Sequence, residues 1–170
     1  MSQDIKIRVF QRNDSERVVE LISDIIVNEF NFKLEFDTLD SDILAIQEIY
    51  NKFDRGCFWV AETTDDNNTQ QKKIIGTTAV RNLKEFDSTC ELKRMYVLND
   101  FRRLGLGQKL LEIAIDFAKR VGYSRMVLDS SKILYAARAL YLKKGFVDIP
   151  RYNDKHRADV FMERSLEHER

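Results

Sequence analysis

The chain of 170 residues has few of the residues that build cross-links and metal sites, with two cysteines, two histidines and one proline. Cys57 and Cys90 lie in separate strand-like segments, which argues against a disulfide framework and predicts two buried thiols. Neither His156 nor His168 is spaced with a cysteine as zinc ligands are. We therefore predict no metal site.

Net charge of one sign and long apolar runs are also absent. Lysine plus arginine equals aspartate plus glutamate at 28 each, so no overall field favours nucleic acid or an anionic membrane. No run of about 18 apolar residues occurs, and the first ten residues lack a signal-peptide pattern. We predict one cytoplasmic domain over residues 1–170, with no nucleic-acid or membrane partner. A homodimer stays open.

Alternating apolar residues predict the first strand, and β-rich or apolar segments predict the others. Ile5, Ile7 and Val9 alternate with polar or charged residues, as in a first strand with one buried face. The polar residues 63–73 separate two β-rich segments and predict a hairpin with a mobile tip. The further strands are predicted over residues 57–62, 74–81, 90–97, 126–128, 146–149 and 158–164, of which the last closes the sheet.

Apolar residues at helical spacing predict four helices. Asn13 and Glu16 have the spacing of a capping box for the first helix, and a second is predicted over residues 43–53 with Gly56 as its left-handed cap. Two more are predicted over residues 108–121, capped by Gly122, and residues 133–144, ended by Gly145. This order of elements predicts an α/β mixed sheet with helices on both faces.

The most informative segment, residues 102–108, reads Arg-Arg-Leu-Gly-Leu-Gly-Gln and precedes the third helix. Glycine lets the backbone approach an anion closely, and a helix N-terminus is positively polarised, so the segment predicts a phosphate-binding loop. A dinucleotide fingerprint needs a third glycine, where Leu110 stands, and a P-loop needs lysine at Gln108. Both are disfavoured.

The same segment has the form Arg-x-x-Gly-x-Gly and directly follows the predicted strand 90–97. It resembles the pyrophosphate motif of the GNAT superfamily of acyl-CoA-dependent N-acetyltransferases, usually Gln/Arg-x-x-Gly-x-Gly/Ala. A second match is Ala137 followed by Leu140-Tyr141 and Gly145-Phe146, in the order that the family has. One departure is Leu134, where the family often has an asparagine.

The resemblance implies a GNAT-like fold, with a central mixed, mostly antiparallel sheet and helices on both faces. It implies acetyl-CoA as co-substrate, with the thioester carbonyl held by a backbone amide of the strand before the loop. A bulge in that strand would free the amide and repair an uneven face pattern. The residues implied to bind acetyl-CoA are Met95, Tyr96, Val97, Arg102, Arg103, Leu104, Gly105, Leu106, Gly107, Gln108, Ala137 and Tyr141.

Two catalytic residues are implied by position. Tyr141 matches the tyrosine that protonates the coenzyme A thiolate in many relatives; the alternative is a core tyrosine. Glu91 matches a glutamate that serves as base in some members; the alternative is an ordinary strand charge beside Lys93. A carboxylate with a pKa near 4.3 and a lysine amine near 10.4 differ by about six units, or roughly 8 kcal/mol. Glu91 would therefore need a raised pKa, a water chain, or an α-amine as acceptor.

Two loops are candidates for the acceptor site, because loops commonly carry specificity. The linker over residues 30–42 interleaves aromatic and acidic residues and predicts an apolar slot with a negative rim for an amine. Late-loop residues could contact a carboxylate. The residues concerned are Phe30, Phe32, Phe36, Glu29, Glu35, Asp37 and Asp40 in the first segment, and Arg151, Tyr152 and His156 in the second.

Together these features predict an N-acetyltransferase that moves an acetyl group from acetyl-CoA to a primary amine by direct attack in a ternary complex. A small-molecule acceptor is favoured, because no basic or acidic extension offers a docking surface for a protein. A protein or peptide amine is the second enzymatic interpretation. A non-catalytic acyl-CoA-binding module is the alternative from another class.

Overall fold

A computed structural model describes residues 4–52, 55–64 and 72–167, apart from the side chain of residue 64. Seven strands in this part of the chain form one sheet in the order β1-β2-β3-β4-β5-β7-β6. All neighbouring pairs are antiparallel except β4–β5, which confirms the predicted mixed, mostly antiparallel sheet. The strands are β1 (Ile5–Val9), β2 (Cys57–Thr64), β3 (Lys72–Asn82), β4 (Thr89–Val97), β5 (Arg125–Ser130), β6 (Val147–Asp148) and β7 (Val160–Ser165).

Among the described residues, three α-helices accompany the sheet: α1 (Ser15–Asp24), α2 (Leu106–Arg120) and α3 (Tyr135–Lys143). A π-helical turn, Ile25–Glu29, extends α1. The ends of α2 and α3 agree with the prediction, because Gly122 and Gly145 follow them with φ of 88° and 83°.

Helices cover both faces of the sheet, as predicted. Successive strand residues point to opposite faces, and β2 shows this clearly. Trp59 packs against Phe117 of α2, with ring centroids 5.1 Å apart. Phe58 and Val60 belong to the opposite core cluster, together with Ile22 of α1.

The first helix begins differently from the prediction. The carboxylate of Asp14, and not that of Glu16, accepts a hydrogen bond from a preceding amide, the Gln11 N–H at 2.8 Å. Asp14 is fully buried and also bound by Arg8 at 2.7 Å and Arg17 at 2.6 Å. These bonds fix a 3₁₀ turn, Arg12–Asp14, ahead of α1.

The predicted second helix is mostly absent as a regular α-helix. Its place is taken by a 3₁₀ segment, Ser41–Leu44, and a π-helical turn, Gln47–Asn51; residues 53 and 54 lie outside the described part. Gly56 is not a left-handed cap, since its φ is not positive. A Cβ there would lie 2.5 Å from the Tyr50 carbonyl oxygen, so close backbone approach requires the glycine.

The predicted hairpin is present, whereas the last strand lies at a different place in the sheet. The antiparallel β2–β3 hairpin is confirmed, and residues 65–71 of its predicted mobile tip lie outside the described residues. The last strand does not form the edge of the sheet. β7 lies between β5 and β6, pairing with β5 over six residues and with β6 over two.

The feature that creates space for a site is a gap between β4 and β5. These parallel strands pair only through Thr89–Arg125, Cys90–Met126 and Glu91–Val127, after which the pairing ends. On the other side, the β3–β4 register shifts by one residue between Thr77 and Ala79.

The shift is the predicted bulge, and the structure locates it at Arg94 and Met95. Both residues lie opposite Thr78, and Arg94 has a φ of 52°. The Thr77 hydroxyl donates to the Arg94 carbonyl at 2.7 Å. The bulge therefore interrupts the regular alternation of β4 in the part of the strand that no longer pairs with β5.

Candidate active site

The glycine segment forms a tight loop at the start of α2. Arg103 and Gly105 have φ of 63° and 78°, and the Lys109 N–H donates to the Gly105 carbonyl at 3.1 Å. The N–H groups of the first helical turn have no partner within the helix and carry its positive dipole end. The loop can therefore hold an anion with backbone amides.

Arg102 ties this loop to the sheet. Its Nε donates to the Val97 carbonyl at 2.8 Å, and its guanidinium pairs with Glu29 at the end of the helical segment after α1. Arg103 and Leu104 are exposed, whereas Leu106 is buried in the core. Arg102 therefore fixes the position of the loop and also places a positive charge beside it.

A groove of about 740 Å³ runs from this loop to the gap between β4 and β5. Of the twelve residues implied to bind acetyl-CoA, Leu104 and Leu106 do not line it; the side chain of Leu106 points into the core. The others line it: Met95, Tyr96, Val97, Arg102, Arg103, Gly105, Gly107, Gln108, Ala137 and Tyr141, joined by Phe30, Asn99, Leu134, Tyr135, Ala136 and Leu140.

One backbone amide of β4 points into the gap. The Leu98 N–H donates to the Ile75 carbonyl of β3 at 2.9 Å. Because successive amides of a strand point to opposite sides, the Val97 N–H faces away from β3, toward the space that β5 leaves open. A donor in this position can polarise a carbonyl bound in the groove.

A smaller cavity of about 130 Å³, which we call the inner pocket, adjoins the groove. The two share Phe30, Met95, Tyr96, Leu134 and Tyr141. The rest of the inner pocket is formed by Ile26, Phe32, Leu39, Asp40, Leu92, Lys93, Arg94, Leu128, Asp129, Ser130, Ser131, Lys155, Arg157 and Ala158.

Tyr141 lies at the junction of the two cavities. Its side chain is 6% exposed, and its ring centroid is 5.8 Å from that of Phe146. Burial raises the pKa of Tyr141 well above its ordinary value, and nearby Tyr96 and Asp129 raise it further. The phenol is therefore protonated over the whole physiological range and can donate a hydrogen bond.

Glu91 does not line either cavity described here, and its carboxylate is fully engaged. Arg81 binds one oxygen at 2.6 Å, while Tyr152 and Lys155 bind the other at 3.0 and 3.1 Å. Burial alone would raise the pKa of Glu91, but the charges of Lys93, Arg81 and Lys155 hold it far below its usual range. This environment makes it a weaker base than an ordinary glutamate.

The linker supplies the predicted apolar wall but not the negative rim. Phe30 and Phe32 line the inner pocket, whereas Phe36 is exposed. Asp40 is buried and bound by Arg94 at 3.1 Å and Arg157 at 2.6 Å. Its charge is therefore neutralised by two arginines that the sequence did not reveal as partners.

The predicted late-loop residues face elsewhere. Arg151 donates to backbone carbonyls, including that of Ala158 at 2.7 Å, and Tyr152 donates to Glu91. His156 pairs with Glu35 at 2.9 Å. Their neighbours Lys155 and Arg157 line the pocket instead, together with Lys93, Arg94 and Asp129. Among these pocket residues, the sequence pointed only to Lys93, because it shares a face of the predicted strand with the candidate base Glu91.

Comparison with known proteins agrees with this geometry. The family model described as Acetyltransferase (GNAT) family matches residues 19–146. A solved GNAT-family acetyltransferase from Staphylococcus aureus superposes with a TM-score of 0.84 at 29% identity, covering 96% of this chain and all of that one. The PaiA N-acetyltransferase of Thermoplasma acidophilum, solved with coenzyme A, shares the fold at 17% identity, with a TM-score of 0.68 over 95% of this chain and 99% of that one.

Curated relatives include a probable N-acetyltransferase camello of Xenopus laevis, 32% identical over 142 residues, covering 78% of this chain and 62% of the relative. An N-acetylaspartate synthetase of Danio rerio is 35% identical over 108 residues, covering 64% and 36%. The chain thus spans about half the length of such relatives. The match of the family model over residues 19–146 shows that the chain belongs to the acetyltransferase (GNAT) family.

Proposed function

We propose that the protein transfers an acetyl group from acetyl-CoA to the primary amine of a small molecule, by direct attack in a ternary complex. The observation that carries the proposal is the meeting of the groove and the inner pocket at Met95, Tyr96 and Tyr141. A thioester in the groove and an amine in the pocket would be adjacent there, which removes most of the entropic cost of bringing them together.

The groove fits the donor in size and in chemistry. Its volume of about 740 Å³ lies in the range of sites for small molecules and cofactors. The pyrophosphate would lie against the loop of Arg103, Gly105 and Gly107, where backbone amides and the dipole of α2 meet it. The thioester carbonyl would accept from an amide of Met95–Val97, of which the Val97 N–H points into the gap.

Tyr141 is the proposed proton donor to the departing coenzyme A thiolate. Burial keeps its hydroxyl protonated, and its position at the junction brings it to the place where the thiolate would form. The raised pKa of Tyr141 makes full proton transfer to the thiolate harder, so the hydrogen bond from its hydroxyl is the main stabilisation of the thiolate. The resemblance implied the same residue, as the group that protonates the thiolate.

The base is not assigned to Glu91. Its carboxylate is held by Arg81, Tyr152 and Lys155, and its lowered pKa widens the gap to an ammonium. We propose instead that Glu91 positions Lys155 at the pocket wall. In this proposal, water carries the proton of the acceptor ammonium to solvent. This is one of the alternatives that the sequence left open.

The small volume of the inner pocket favours a small acceptor over a folded protein surface, and a peptide amine is the second candidate. One relative's name, N-acetylaspartate synthetase, denotes a small-molecule product. No helix in the described part of the chain is long and apolar enough to span a membrane. A single domain over residues 1–170, a cytoplasmic location and a homodimer stay predictions from the sequence.

The test is a thiol-release screen with acetyl-CoA over amino acids, polyamines, aminosugars, aminoglycosides and peptides, with products identified by mass. We expect at least one small amine to accelerate thiol release and to gain one acetyl group. Acetyl-CoA that binds in calorimetry without acetylation of any amine would favour the non-catalytic module. Acetylation of peptides alone would favour the peptide alternative.

A further inference from the structure

The wall of the inner pocket carries more cations than anions. Four basic side chains line it, against two carboxylates, those of Asp40 and Asp129. The four are Lys93, Arg94, Lys155 and Arg157. The lining therefore has a formal surplus of two positive charges beside the point where an acceptor would meet the donor.

Two of these cations are bound to the linker. Arg94 pairs with Asp40 at 3.1 Å and with Asp42, and it donates to the Leu39 carbonyl at 2.8 Å. Arg157 pairs with Asp40 at 2.6 Å and more loosely with Glu35 at 3.5 Å. Their charges are met by carboxylates of the protein.

The third cation is also paired. Lys155 donates to Asp129 at 2.6 Å and to Glu91 at 3.1 Å. Asp129 receives a further bond from Asn153 at 2.8 Å. The carboxylates of Glu91 and Asp129 are therefore already occupied and do not bind another ammonium group.

Lys93 differs from the other three. Within the described residues it forms no ion pair; its amine is in hydrogen-bond contact with Lys155, and Glu91 and Asp129 lie near enough to act on its charge. Burial is the main cause that lowers the pKa of Lys93 to about 8, and the charges of Lys155 and Arg94 act in the same direction. A partly buried ammonium of this kind is stabilised when a carboxylate binds to it.

We propose that the acceptor is an amino carboxylate, a small molecule that carries both the attacked amine and a carboxylate, and that Lys93 binds the carboxylate. The proposal rests on the proposed function, since it names the acceptor of that reaction. Lys93 and Met95 both line the inner pocket, so the carboxylate of a small amino acid can lie against Lys93 while its amine lies near Met95. The hydroxyl groups of Ser130 and Ser131, also in the lining, are further donors.

The same charges act against other amines. Polyamines and aminoglycosides carry additional positive charges, which the ammonium group of Lys93 would repel at short distance and low effective dielectric. The linker carboxylates cannot offset this repulsion, because Asp40 is already bound by two arginines. Selection for a carboxylate and against a second ammonium thus follows from one arrangement.

The experiment compares matched acceptors, each an amino acid and its carboxamide, by kcat/KM with saturating acetyl-CoA. The amide keeps the amine and side chain but loses the carboxylate, and its amine is less basic, so a larger neutral fraction favours it chemically. We expect the acid to react at least 10-fold faster in the wild type. Lys93→Met should bring the ratio near 1, Lys93→Arg should keep most of it, and the exposed-lysine control Lys143→Met should not change it.

The outcomes separate the two proposals. Acetylation of amides or polyamines as fast as of the acids, already in the wild type, would overturn the carboxylate inference and leave the acetyltransferase function intact. A wild-type preference that survives in folded Lys93→Met, with unchanged acetyl-CoA affinity by calorimetry, would overturn the role of Lys93. Acetyl-CoA binding with no acetylation of any amine would contradict the proposed function itself.

Discussion

Replacement of Asp42 by asparagine tests the buried network that holds the linker against the end of β4. Asp42 is 5% exposed and pairs with Arg94, and it also accepts a hydrogen bond from Tyr50. Arg94 is the first of the two bulge residues and directly precedes Met95. The substitution removes the charge while keeping the size of the side chain.

The expected magnitude follows from the pKa of Asp42. Burial alone would raise it, but the hydrogen bond and charge of Arg94 lower it from 3.8 to about 2. A shift of roughly 1.8 units corresponds to about 2.5 kcal/mol of folding free energy. Because the folded-state pKa is the lower one, this stability is fully present above pH 3.8 and is lost as the pH falls toward 2.

Urea denaturation at several pH values measures the effect. Asp42→Asn should lower the free energy of unfolding by about 2 to 4 kcal/mol from pH 7 down to pH 5, with a smaller difference below pH 4. The exposed linker residue Asp37 provides the control, and Asp37→Asn should change stability by less than about 0.5 kcal/mol. Equal stabilities of wild type and Asp42→Asn at pH 7 would refute the reasoning.

Three further predictions concern the loop, the close backbone approach and the base. Gly107→Glu should abolish coenzyme A binding in calorimetry, because a carboxylate there would repel the pyrophosphate. Gly107→Ala should retain binding, because a Cβ there meets only Leu140 at 3.7 Å. Equal affinities of Gly107→Glu and wild type would contradict the assignment of this loop as the pyrophosphate site. Gly56→Ala should destabilise by about 1 to 3 kcal/mol in urea, because its Cβ would lie 2.5 Å from a carbonyl oxygen; unchanged stability would contradict this. Glu91→Gln should lower the free energy of unfolding in urea by about 3 kcal/mol, because Arg81 loses its buried charged partner. It should keep kcat within about tenfold of the wild-type value. A loss of 10²-fold or more in the folded enzyme would support Glu91 as the base.

The sequence predicted the elements whose signals are local. The glycine loop and the stripe of α2 are encoded in consecutive residues. Alternation indicated β1, and short β-rich or apolar segments indicated the other strands. The bulge followed from the uneven faces of β4, but its position depends on the pairing of Thr77 and Ala79 with β4, which no local pattern contains.

The acceptor side was predicted less well, because it depends on contacts between distant segments. Asp40 and Arg157 are separated by 117 positions and meet at 2.6 Å. The acidic linker was therefore interpreted as a negative rim, whereas arginines from β4 and the late loop neutralise it. Arg94 in particular turns toward the linker because the bulge interrupts the alternation of its strand.

The most direct test of the central claim is kcat of Tyr141→Phe under conditions where chemistry limits the rate. The variant keeps the ring that packs on Phe146 and removes only the hydroxyl at the junction of the two cavities. Tyr123→Phe, which removes another largely buried tyrosine hydroxyl outside both cavities, is the control and should keep kcat near that of the wild type. The account predicts that Tyr141→Phe lowers kcat by roughly 10² to 10⁴, with acetyl-CoA affinity nearly unchanged. A folded Tyr141→Phe enzyme with wild-type kcat would contradict it.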